Sequence, residues 1–200
     1  SHFHHDHLQG LPFNPQIFDQ RNEIIISSDL CNIEIVEKTI QRYFSPPYFP
    51  IDVVSLLPNI KFLPFNTVQE KLDKHFSLSS IKLNHPGGST GYKLKQKNTS
   101  FIFLCDNEFE EYQVKDLTNF SEQADLLVWD GMFTDKELID KKGWGHSSIE
   151  QAIDFNAGAN CKKMVITHHS PHRSDKELDQ IAVELPEVFT LARDGLEIKV

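Results

Sequence analysis

Residues 2–7 read HFHHDH, and no other stretch constrains the chain as strongly. With ten histidines in 200 residues, the pattern H-x-H-x-D-H is expected by chance only about 0.002 times in a chain of this composition. An affinity tag is also His-rich and terminal, but tags are runs of one residue type and carry no placed aspartate. Imidazoles at i and i+2 of an extended segment point the same way, while Asp6 and His7, one step on, turn toward a second ion. His2, His4, Asp6 and His7 are therefore candidate ligands, and the spacing implies two metals.

The remaining composition narrows the setting. A 200-residue chain with 39% hydrophobic content can bury a sizeable core, so one domain over residues 1–200 is expected. A net charge of -9 and a pI near 5.5 argue against long nucleic acids, which need a basic stripe to displace counterions. Cys31, Cys105 and Cys161 are odd in number and form no C-x-x-C pair, which fits reduced thiols and a cytoplasmic location. No apolar run reaches the roughly 18 residues of a membrane span, so no membrane partner is expected.

Periodicity predicts alternating elements. EIIIS and NIKFLPF read as strands around an amphipathic helix, IEIVEKTIQRYF, with apolar residues at 33, 35, 36, 40 and 44. FSLSSIKLNH is a half-buried strand, and GYKLKQKNTSFIFLCD is a hairpin turning near Lys97 and Asn98. DLLVWD and KKMVITHH are strands, TDKELIDK, SSIEQAIDFNAGA and DKELDQIAVEL are helices, and LEIKV closes the chain. Ser147 followed by Glu150 has the form of a capping box and sets a helix start.

Polar residues that end apolar strands point into the crevice where chemistry is usually placed. His85, Asp106, Asp130 and His168 each occupy such an end. Any one of them alone reads as a turn former or a satisfied surface group. Together with the opening motif they form a plausible two-metal hydrolase shell, with one carboxylate shared.

SHFHHDHLQGLPF resembles the H-x-H-x-D-H-x-x-G-L-P signature of the metallo-β-lactamase fold. NHPGGSTGYKL, DLLVWDGMFTDKEL, KGWGHSSIEQA and THHSPHRSD are similar to successive motifs of its phosphodiesterase-like branch, which neighbours ribonuclease Z. The resemblance implies an α/β fold, the αβ/βα sandwich of two mixed sheets with helices outside. In that fold several strands precede the metal-binding loop, so the numbering is expected to begin within an N-terminally incomplete domain. The resemblance also implies His2, His4 and His85 on one metal, Asp6, His7 and His168 on a second, and Asp106 bridging. Two departures stand out: Asp106-Asn107 where Asp-Thr is common, and Asp130 where ribonuclease Z has Glu.

Two divalent ions, zinc first with manganese or iron as options, would leave the pocket positive inside an acidic protein, which suits a single phosphate. The expected activity is hydrolysis of small phosphodiesters such as cyclic nucleotides, with a metal-bridging hydroxide as nucleophile that Asp6 orients or deprotonates. His146 is expected to serve the leaving oxygen, with Asp130 holding its tautomer, and Ser147 and His169 are candidate substrate contacts. Trp144 reads first as a packing residue, though its place in the sequence also suits covering a nucleobase. The alternatives are a ribonuclease Z-like RNA-processing nuclease and a non-enzymatic metal-site sensor. A homodimer is left open.

Overall fold

The computed structural model describes residues 1–72 and 75–200. The chain divides into two compact units, residues 1–74 and 75–200.

In the first unit the HFHHDH stretch runs extended through His4 and then turns into a short helix, α1 (His5–Leu8). Strands β1 (Ile24–Ile26) and β2 (Ile60–Phe62) pair in parallel, with Ile24 opposite Ile60. Between them lie α2 (Ile33–Tyr43) and α3 (Val53–Leu56), and α4 (Phe65–Leu72) follows. Helix α2 starts where the Asn32 side chain accepts the Glu34 amide at 3.1 Å. The apolar positions of IEIVEKTIQRYF separate by face: Val36, Ile40 and Phe44 are buried with Ile17, Val53 and Leu57, whereas Ile35 is exposed. Each buried side chain of this kind contributes roughly 1.5–3 kcal/mol.

The second unit is built on one six-stranded sheet in chain order: β3 (Ser77–Leu83), β4 (Ser89–Gln96), β5 (Thr99–Leu104), β6 (Leu126–Asp130), β7 (Met164–Thr167) and β8 (Phe189–Leu191). The first two ladders are antiparallel and the last three parallel. Strands β4 and β5 form the expected hairpin, with Lys97 at φ 55° in the turn. Because β3, β5, β6 and β7 all run the same way, their C-terminal ends fall on one edge of the sheet, the usual place for a ligand site in open α/β sheets. The near-continuous apolar runs of β5 to β7 bury Ile102, Leu104, Leu127, Trp129, Met164 and Ile166 against Ala152, Phe155 and Ala159 of α7 (Ile149–Ala159) and Leu117 of α5 (Val114–Ser121).

One local reading of the sequence is corrected. The N-cap of α7 is Ser148, whose side chain and that of Gln151 satisfy one another's backbone amides. Ser147 is not the cap, and Glu150 instead accepts the amide of Asp135 at 3.0 Å, at the start of α6 (Asp135–Leu138). The last strand, β8, precedes the closing LEIKV: the short FTL run after Pro186 pairs Leu191 with Ile166. Helix α8 (Asp175–Glu184) precedes it, capped by Ser174 with Glu177. Among the described residues no helix is long and apolar enough to cross a membrane.

Candidate metal centre

The first unit gathers its own imidazoles. The extended backbone at His4 sets alternate side chains on one side, and the ring centroids of His2 and His4 lie 4.4 Å apart. The helical turn then brings His7 back to 4.4 Å from His2, with His7 Nε2 3.2 Å from Asp6 Oδ2. His2 is buried, while His4 and Asp6 are exposed. His5 turns away and meets the hydroxyl of Tyr43.

In the second unit the strand ends converge. Asp106, two residues past β5, is 1% exposed. Its Oδ1 lies 3.3 Å from His168 Nε2, 3.8 Å from His85 Nε2 and 3.9 Å from His146 Nδ1. Asp106, Asp130, His146 and His168 each offer a donor atom within 4.8 Å of the others. Asp106 and His168 both adopt left-handed backbone, at φ 61° and 60°. Such conformations are uncommon outside glycine and cluster at functional sites.

Asp130 is fully buried, and its carboxylate is occupied by protein donors: Oδ2 accepts His146 Nδ1–H at 2.8 Å and the Asn107 amide at 3.3 Å, and Oδ1 accepts the Met132 amide at 3.2 Å. That environment fixes the His146 tautomer and leaves Nε2 to act. The imidazole of His146 stacks on that of His168 with centroids 4.8 Å apart.

His85 supplies the test of whether a cation fits. Its Nδ1 donates to the carbonyl of Gly145 at 2.8 Å, so the nitrogen facing Asp106 is Nε2 with its lone pair. A lone pair and a carboxylate oxygen that face each other in a buried place repel, and a divalent cation satisfies both. Imidazole and carboxylate donors suit zinc, manganese or iron. The residues present therefore fit a metal.

The other candidates are differently placed. The Ser147 hydroxyl is buried, donates to the Asn107 carbonyl and accepts the Phe109 amide, so it is committed inside the protein. His169 donates Nε2–H to the Ala192 carbonyl at 3.2 Å, and burial holds its pKa below the ordinary histidine value, with Arg173 adding to the effect. Its Nδ1 is buried and without a hydrogen-bond partner among the described residues.

Sequence reasoning missed Glu108. This buried carboxylate accepts the amides of Gly143 at 2.8 and 2.9 Å and of Gly145 at 2.9 Å, and so holds the G-W-G-H segment that carries both the His85 acceptor and His146. Only its position two residues past Asp106 hints at this, because its partners lie more than 30 residues away in the chain.

The protein-family model described as a beta-lactamase superfamily domain matches residues 1–169. Ribonuclease Z of Prochlorococcus marinus is 33% identical over 113 residues, covering 52% of this chain and only 34% of its own length. The match thus spans about a third of that relative. YhfI of Bacillus subtilis, a metallo-beta-lactamase fold protein, superposes with a TM-score of 0.68 at 19% identity, over 98% of this chain and 74% of its own. A diphosphatase of the PhnP family superposes with a TM-score of 0.63 at 15% identity, over 100% of this chain and 69% of its own. The strand-end donors and the matched family agree: the chain belongs to the beta-lactamase superfamily and has the metallo-β-lactamase fold.

Proposed function

We propose that this protein is a metal-dependent hydrolase that acts on small phosphodiesters, cyclic nucleotides among them. The observation that carries the reading is the convergence of His85, His146 and His168 on the Asp106 carboxylate, with one of the three, His146, oriented by a second carboxylate, Asp130. The proposed ligands are His2, His4, Asp6 and His7 in the first unit and His85, Asp106 and His168 in the second. Bound divalent ions would polarise the phosphate and activate water, with two ions as the proposed number and zinc as the proposed metal.

The protein's own groups do the rest. Glu108 and Gly145 hold His85 in one tautomer, with Nε2 directed at Asp106. His146 carries a proton on Nδ1 toward Asp130, so its Nε2 exchanges the second proton with the departing alkoxide. Asp130 stabilises the imidazolium while that proton is held. Asp6 is exposed and is assigned to orienting the nucleophile.

A second reading is ribonuclease Z-like cleavage of RNA, favoured by the relatives of that name. Those relatives weigh against setting long nucleic acids aside on net charge alone. The deciding experiment is turnover by the zinc-loaded protein of bis-p-nitrophenyl phosphate, 2′,3′- and 3′,5′-cyclic nucleotides and a tRNA precursor. The proposal expects efficient hydrolysis of the small diesters, abolished by chelation. Cleavage of the precursor with negligible cyclic-nucleotide turnover would transfer the assignment to RNA processing, and no hydrolysis of any of them would overturn both readings.

A further inference from the structure

The chain has two tryptophans, and they are used in opposite ways: Trp129 is 1% exposed in the core, whereas Trp144 is 55% exposed. An exposed indole on a mobile loop would carry no message. Trp144 instead sits between Gly143 and Gly145, at φ 84° and 87°, and both of those amides are tied to the buried Glu108 carboxylate. The left-handed backbone at both glycines sets the indole's direction, and the carboxylate keeps the loop from relaxing to cover it. Little loop entropy is then left to lose when a ligand binds.

The surroundings indicate what such a ring would take. Phe133 neighbours both the Trp144 indole, 6.4 Å between centroids, and the His146 imidazole at 6.1 Å, so the indole and the proposed acid share one wall. The Lys141 ammonium stands over one face of the indole, 4.2 Å from its centroid. An accessible π surface, a positive charge against it and an imidazole close by together match a planar base carrying a phosphate. An aliphatic diester offers nothing to the indole, and a peptide offers no phosphate to the lysine. Stacking of a base on an aromatic side chain is tolerant of base identity.

We propose that the Lys141–His146 loop is a nucleobase subsite in which Trp144 stacks on the base of a nucleotide whose phosphate lies toward His146. The inference rests on the phosphodiesterase reading and narrows its substrates to nucleotides. It assigns Trp144 a contact with substrate and Glu108 a positioning role.

The test uses the full chain and has two arms. In the binding arm, AMP should quench the fluorescence of Trp144 while ribose 5-phosphate does not, and Trp144→Phe should abolish the quench. Buried Trp129 serves as the unresponsive internal reference. In the kinetic arm, Trp144→Ala should lower the ratio of kcat/KM for a cyclic nucleotide to that for bis-p-nitrophenyl phosphate by about 5- to 100-fold, mostly through KM, and Trp144→Phe should restore most of it. Trp144→Leu replaces the alanine variant if the latter fails to fold. Equal quenching by AMP and ribose 5-phosphate, or parallel loss on both substrates with a lowered Tm, overturns the subsite. If the wild-type protein turns over neither diester, the hydrolase reading fails, and the AMP arm still decides the stacking.

Discussion

The Gly145 carbonyl accepts a hydrogen bond from His85 Nδ1 at 2.8 Å, and nothing larger than glycine fits at that position. A Cβ there would stand 2.3 Å from His85 Nδ1 and 2.3 Å from Pro86 Cδ, on backbone at φ 87°. Gly145→Ala is therefore expected to displace the His85 ring. Loss of a group that orients a metal-ligating histidine typically costs about 10- to 100-fold in metal affinity. Zinc competition against a chelator checks this, and Glu108→Gln should move affinity in the same direction by a smaller factor. Unchanged affinity in both variants would count against the orienting role.

Asp106 and His168 should separate by metal content. Asp106→Ala removes the carboxylate that faces three imidazoles and is expected to deplete all bound metal and abolish hydrolysis. His168→Ala is expected to empty mainly one of the two proposed ions. Elemental analysis of purified variants distinguishes these outcomes, and equal depletion in both would refute the division of ligands.

His146 should matter according to the leaving group. Its removal is expected to slow cyclic-nucleotide hydrolysis by about 10^2- to 10^4-fold, the usual range for general acid catalysis, with a much smaller effect on bis-p-nitrophenyl phosphate. Nitrophenolate leaves without a proton. Asp130→Asn should act in the same direction, since it disturbs the 2.8 Å contact that fixes the imidazole. Rates measured on both substrates at constant metal content test the claim, and equal slowing on both would sink it.

The thiols give a pH-dependent stability signature. Burial pushes Cys161 up to about 11 and raises Cys105 well above the ordinary thiol value, with Asp130 and Asp106 adding to the latter. The unfolded chain releases these protons near the ordinary thiol pKa of about 8.5, while the folded chain keeps them. Their contribution is thus fully present below that pH and is lost as pH rises toward the folded value. Melting temperature should fall with pH from about 8.5 upward, and a Cys161→Ala variant should show a shallower decline. An identical slope in the variant would assign the effect elsewhere.

Much of the site was legible because it obeys the period of the fold. Apolar runs that end at His85, Asp106, Asp130 and His168 identify parallel strand ends without any structure, and the structure brings Asp106, Asp130, His146 and His168 within a few ångströms. The helix cap was misplaced by one residue because SSIEQ satisfies the box pattern in two registers, Ser147 with Glu150 and Ser148 with Gln151. The choice was made by long-range bonds from Ser147 to Asn107 and Phe109. Glu108 was invisible for the same reason: its role lies in amides brought near only by the folded sheet. The left-handed backbone of Asp106 and His168 left no trace either, since no glycine marks it.

Those two left-handed residues also bear on how the sequence can change. Each holds a side chain in a conformation that glycine adopts freely and other residues adopt only at a cost, about 1–3 kcal/mol each. A library of this chain selected only for heat resistance should enrich Asp106→Gly and His168→Gly, and the survivors should be robust but inert. Selection for the proposed turnover would act against that drift at the ends of β5 and β7, the two strands that flank β6, so stability and activity would compete here over backbone torsion rather than over packing or charge.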